Sequence, residues 1–229
     1  MSKISLNKKA LLALMLLVPV PSIGVATQLY FLPGFQGHLI ALLSKVWLLL
    51  FPVFWLYFID KTILKIQYPR KEEFLIGAGL GLVMLCIMLT VYWLLGWQWV
   101  DTEYVRGRAT QVGLNSFNIY LLGAVYWIFI NSLLEEFVWR WFVYRQCETL
   151  VSSRLAVILS ALFFTIHHII GLAAYFDWRI TTLCSVGVLI AGAIWSWCYL
   201  SYRSIWIGYI SHIFADIAIF LIGWQMIFA

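Results

Sequence analysis

Long apolar runs alternate with short polar intervals along the whole chain. Read for stretches of about 20 residues, they predict membrane-spanning helices near residues 10–32, 39–59, 74–97, 119–143, 153–175, 181–200 and 204–228. The expected fold class is therefore all-α, a polytopic membrane helical bundle of about seven transmembrane helices. The longest polar interval, Gln98 to Asn118, carries Asp101, Glu103, Arg106 and Arg108 and reads as a surface helix or a lid. The first run, with Lys8 and Lys9 before an apolar core and "GVA" after it, also has the outline of a secretory signal. Apolar character continues through Leu29, Tyr30, Phe31 and Leu32, however, so a retained helix is expected. No long linker or fixed-period repeat interrupts the pattern, and residues 1–229 read as one membrane domain. Gly77, Gly79 and Gly81 mark a face expected to let a neighbouring helix approach closely.

Composition sharpens this reading: 64% of the residues are hydrophobic and only 11% are charged. A water-soluble chain of this length needs solvating faces on most helices, and Phe74 to Trp99 has no charge at all. The formal net charge of +5 is carried by short basic clusters between the runs, not along one helix face, which argues against a nucleic-acid partner. Lys3, Lys8, Lys9, Lys61, Lys65, Arg70, Lys71, Arg145, Arg154 and Arg203 fall at one set of helix ends; the other set holds only Arg106, Arg108 and Arg179. The positive-inside rule then predicts a multi-pass cell-membrane protein with its N-terminus cytoplasmic and its C-terminus outside. Cys86, Cys147, Cys184 and Cys198 lack CxxC spacing and read as packing residues. The tryptophans, among them Trp127, Trp139, Trp141, Trp195, Trp197 and Trp206, read mostly as interfacial belt and packing.

Ionisable groups inside spans cost several kcal/mol when unpaired, so the few present must face partners or a hydrated cavity. With Lys45 expected to snorkel from the outer end of the second helix, the remaining set is Glu135, Glu136, Arg140, His167, His168, His212 and Asp216. Glu136 and Arg140 are four apart and share a helical face, as do His212 and Asp216; Glu135 is turned by roughly 100° from Glu136. This predicts a Glu136–Arg140 brace that leaves Glu135 free to project toward the histidines. At 1.5 Å per residue, Glu135 and His212 lie roughly 12 Å from the cytoplasmic helix ends and His168 roughly 20 Å. A buried carboxylate beside imidazoles suits hydrolysis, with Glu135 as base for a water and a histidine stabilising the oxyanion. No serine or cysteine has an evident partner base.

Three motifs in order carry a family resemblance: "EEFVWR" fits EExxxR, "FTIHH" contains FxxxH, and "HIFAD" fits HxxxD. Over roughly Tyr120 to Phe220 the chain resembles the CPBP family of intramembrane endopeptidases, which includes the type II CAAX prenyl proteases and the Abi proteins. The resemblance implies a protease in which Glu135 activates water, Glu136 and Arg140 brace the site, the FxxxH histidine holds the water, and His212 with Asp216 stabilises the oxyanion. Phe163 with His167 and Phe164 with His168 both satisfy FxxxH. His168 is the better fit to the family's serine-to-histidine interval, which leaves His167 a neighbour facing elsewhere. Asp216 stands where the prenyl proteases usually have asparagine, and an ionised carboxylate donates no hydrogen bond; it is read as orienting His212 or binding a metal.

The resemblance implies no obligatory cofactor, and zinc on the two histidines with Glu and Asp is the alternative. The expected partners are the lipid bilayer and a membrane-associated or lipidated protein or peptide substrate. HExxH and GxGD are absent, as is a serine motif paired with histidine. A proton-coupled transporter or an immunity-type membrane protein remains a reading from another class, although no pair of broken helices or inverted repeat points to transport.

Overall fold

The computed structural model describes residues 3–32, 34–62 and 68–229, and every regular element among them is helical. Lys65, one of the basic positions named above, lies outside them. Seven helices are long and apolar enough to cross a membrane: α1 (Leu6–Phe31), α2 (Phe35–Ile59), α3 (Lys71–Trp99), α5 (Phe117–Leu150), α6 (Ser153–Ala173), α7 (Trp178–Tyr202) and α8 (Trp206–Phe228). A short helix, α4 (Thr102–Gln111), fills the long polar interval. The protein is a polytopic helical bundle, and the apolar runs predicted its spans.

The polar residues between runs start the helices. Asp177 accepts from the backbone N–H groups of Arg179 and Ile180, each at 3.0 Å, and so caps α7. Asp101 caps α4 by accepting from the Tyr104 N–H at 3.0 Å. At the head of α3 the Arg70 N–H donates to Glu73 at 2.8 Å, and the Arg70 guanidinium pairs with the same carboxylate. α4 lies across the ends of two spans as a surface helix: Arg106 donates to the Met226 carbonyl and Tyr104 to that of Ala174.

One predicted boundary is wrong in a way that matters. The fourth span does not stop at Val143 but continues to Leu150, where only Val151 and Ser152 separate it from α6. Tyr144 and Cys147 are buried in the core, so the extra turns are held by packing rather than by an apolar sequence. Glu135 then lies fifteen residues before Leu150 and His168 fifteen after Ser153, which puts both roughly 22 Å from the shared turn. The disparity in depth between Glu135 and His168 expected from the sequence disappears.

The buried core joins Leu14 and Leu17 of α1, Phe51 and Trp55 of α2, Val138, Trp139 and Val143 of α5, Phe164 of α6, and Trp195 and Tyr199 of α7. α3 packs on α8 through two of the three closely spaced glycines near its start. A Cβ on Gly77 would meet Ile210 and one on Gly81 would meet Phe214, whereas Gly79 faces open space and has no such role. All four cysteines are free thiols, and only Cys147 is buried.

Candidate active site

The middle of α5 departs from ideal helix: Tyr126–Asn131 and Glu136–Tyr144 are wound as π-helix. A π turn widens the backbone ladder and leaves carbonyls for other donors, and such segments recur at functional sites. Here neighbouring side chains take them up. Ser160 of α6 donates to the Trp139 carbonyl at 2.8 Å and Tyr209 of α8 to that of Phe129 at 3.1 Å. The two π segments flank the single turn Ser132–Glu135, and so fix the orientation of Glu135.

Glu136 and Arg140 form the expected brace. Their side chains are 0% and 1% exposed, with Nη1 3.2 Å from Oε1. The guanidinium lies against the rings of Phe164 and Trp195, at 4.4 and 4.9 Å from their centroids. Glu136 does more than hold arginine, because the same Oε1 accepts from His212 Nδ1 at 3.1 Å. That bond leaves Nε2 of His212 facing two other carboxylates, Glu135 Oε2 at 3.7 Å and Asp216 Oδ1 at 3.8 Å. Trp195 stacks on the His212 ring at 4.2 Å. Gly208, one turn before His212, leaves room for the Glu136 carboxylate, which a Cβ there would displace.

Glu135 is approached from α6 as well. His167 Nε2 lies 3.9 Å from Oε1, its ring stacked on Trp139. His168 donates from Nδ1 to the Phe164 carbonyl at 2.9 Å, which fixes its tautomer and leaves the Nε2 lone pair free. The expectation that His167 faces elsewhere is therefore corrected. The two rings are 4.2 Å apart, and both histidines come within 4.8 Å of Glu135. Adjacent residues on a helix diverge by 100°, but Glu135 sits over the gap between them and long side chains close it.

Asp216 accepts from Ser132 Oγ at 2.7 Å, a contact between α8 and α5. Lys45 also departs from expectation. It does not snorkel outward but turns inward to donate to Oδ1 of the buried Asn131, with Nζ 4.8 Å from the Trp127 ring centroid. Trp139 and Trp195 take the packing half of the role expected of the tryptophans; both are buried and stack on site histidines. The sequence held one faint signal for Asn131, Ser132 and Lys45, namely that polar groups within a span need partners.

Three donors could share a metal ion: Glu135, His167 and His168, whose ligand atoms all lie within 4.8 Å of one another. Asp216, named for that role from the sequence, is not among them. Donors of a tetrahedral zinc ion lie about 2.0–2.2 Å from it and so roughly 3.4 Å from each other, which means this trio must draw inward to bind one.

Residues 117–218 match the type II CAAX prenyl endopeptidase Rce1-like family. The matched stretch is less than half of the chain, yet it contains Glu135, Glu136, Arg140, His167, His168, His212 and Asp216. No curated protein and no solved structure matches the chain. The first four helices, with Lys45, lie before the matched region.

Proposed function

We propose that this protein is a glutamate-dependent intramembrane endopeptidase that hydrolyses a peptide bond of a membrane-associated substrate, with prenylated C-terminal sequences the first candidates. The observation that carries the reading is the position of Glu135, a carboxylate inside a membrane span with one imidazole Nε2 3.9 Å away from α6 and another 3.7 Å away from α8. The match of this same region to the CAAX endopeptidase family supports it independently.

In this reading a water lies between Glu135 and the α6 histidines. Glu135 takes one of its protons as the oxygen adds to the substrate carbonyl carbon, and the carbonyl π electrons move onto oxygen. His212, oriented by its Nδ1 bond to Glu136, donates from Nε2 to that oxyanion. Collapse of the tetrahedral species breaks the C–N bond, and the departing amine takes the proton from Glu135. The products are a carboxylic acid and an amine, and passage of the acid proton to the amine leaves a carboxylate and an ammonium group. Arg140 holds Glu136 in place, and Asp216 lies beside Nε2 of His212. A proton relay for transport would space such groups through the bilayer, whereas here they gather around one point.

A zinc-assisted version of the same hydrolysis is the second reading, favoured by the Glu135, His167 and His168 trio. The deciding experiment uses the full-length protein in liposomes and two internally quenched peptides, one ending in a prenylated CAAX sequence and one an unmodified membrane-spanning segment. Wild type is expected to cleave at least one of them, and Glu135→Gln to lose about 10³-fold in kcat. Chelation is expected to leave the rate unchanged. Equal cleavage by wild type and Glu135→Gln removes Glu135 as base, and a loss on chelation that zinc restores moves the assignment to the metal reading.

A further inference from the structure

The site is rich in carboxyl groups. Glu135, Glu136 and Asp216 gather at one level of the bundle, and Arg140 is committed to Glu136 and enclosed by Phe164 and Trp195. On the Glu135–Asp216 side, the fixed cation among the described residues is Lys45, which comes from α2, outside the family match. It donates to Asn131, which precedes Glu135 by one turn of α5 and so shares its face. Asn131 is followed directly by Ser132, the partner of Asp216. The ammonium is thus placed within electrostatic reach of both Glu135 and Asp216. Asn131 accepts one of its three N–H donors.

An ionised Asp216 cannot donate to an oxyanion, and His212 is a single donor. From this juxtaposition we propose that Lys45 is a further catalytic group of the site. Its ammonium, held in position by Asn131, donates to the substrate carbonyl oxygen and supplies the positive charge against which the oxyanion forms. The inference rests on the reading of Glu135 as base and adds to it the donor that completes the oxyanion site. It also gives α2 a part in the chemistry. Within a membrane span an ammonium acts at lower effective dielectric than it would in solution.

The test is full kinetics on the same quenched peptides for the liposome-reconstituted wild type, Lys45→Met, Lys45→Arg and Glu135→Gln. Lys45→Met preserves length and removes charge; it is expected to lower kcat by about 10²–10³-fold with KM within about threefold. Lys45→Arg keeps the charge and is expected to recover most of that loss. If Lys45→Met is not monodisperse and folded, Lys45→Gln, which can still donate to Asn131 without a charge, takes its place with the same expectation. Wild-type kcat in the neutral variants while Glu135→Gln is inactive overturns the Lys45 assignment alone. Equal kcat losses in Lys45→Arg and the neutral variant, or a change confined to KM, overturn it too, because the role is then one of shape or ground-state binding. Activity in Glu135→Gln, or no cleavage of either peptide by wild type, removes the underlying reading and this inference with it.

Discussion

Ser132 has one hydroxyl hydrogen and three acceptors around it: Asp216 at 2.7 Å and the carbonyls of Trp127 and Ile128, both at 2.8 Å. With Asp216 ionised, the hydrogen goes to the carboxylate. Were Asp216 protonated, it could donate to Ser132 Oγ and release the hydroxyl to a carbonyl. Ser132→Ala removes the donor in the first case and leaves a buried carboxylate oxygen bare. The expected cost is about 1–3 kcal/mol, read as a lower melting temperature in detergent. Asp216→Asn keeps a side-chain oxygen to accept from Ser132 and is expected to stay folded with stability within about 1 kcal/mol of wild type. The two i, i+4 pairs of the site were legible from the sequence because helical spacing alone puts Glu136 beside Arg140 and His212 beside Asp216. Lys45 with Asn131, and Trp139 with His167, were not legible. Each joins different helices, and no local pattern records which distant residue a side chain will meet.

At the scale of the helix, α5 carries the site because it is not uniform. Its π-wound stretch from Glu136 to Tyr144 depends on outside donors, and Ser160 from α6 is one of them. Ser160→Ala is expected to cost about 1–3 kcal/mol, more than a surface serine would, since it strands a buried carbonyl; thermal unfolding beside a surface serine control checks this. Gly208→Ala acts from the opposite side. Its methyl group displaces the Glu136 carboxylate, which holds both Arg140 and His212, so a fall in cleavage of about 100-fold is expected. Larger effects on kcat than on melting temperature would mark it as a positioning defect. The apolar pattern revealed the existence of the spans but not their winding, because hydrophobicity does not distinguish an α turn from a slightly wider one. It also could not show that α5 runs on to Leu150, where Arg145 and Glu148 break the apolar signal.

Across the whole molecule, basic residues collect at one end of the bundle. We propose the orientation this implies, with the α2–α3, α5–α6 and α7–α8 connections facing the cytoplasm. Single cysteines in a cysteine-free background are expected to react with an impermeant maleimide from opposite sides, Lys8→Cys from the cytoplasm and Arg179→Cys from outside. Labelling of both from one side would reverse or refute that orientation. At the basic end Arg203 pairs with Glu148 at 2.6 Å, and the Tyr144 hydroxyl donates to the same carboxylate at 3.0 Å. This contact ties the α7–α8 turn to the end of α5. The hairpin at Val151 and Ser152 has a mechanical consequence. Two long rods joined by so short a turn, and tied again two turns along α6 by Ser160, are held side by side. Lys45 reaches this pair of rods from a separate one, α2, and its contact with Asn131 is a seam between them.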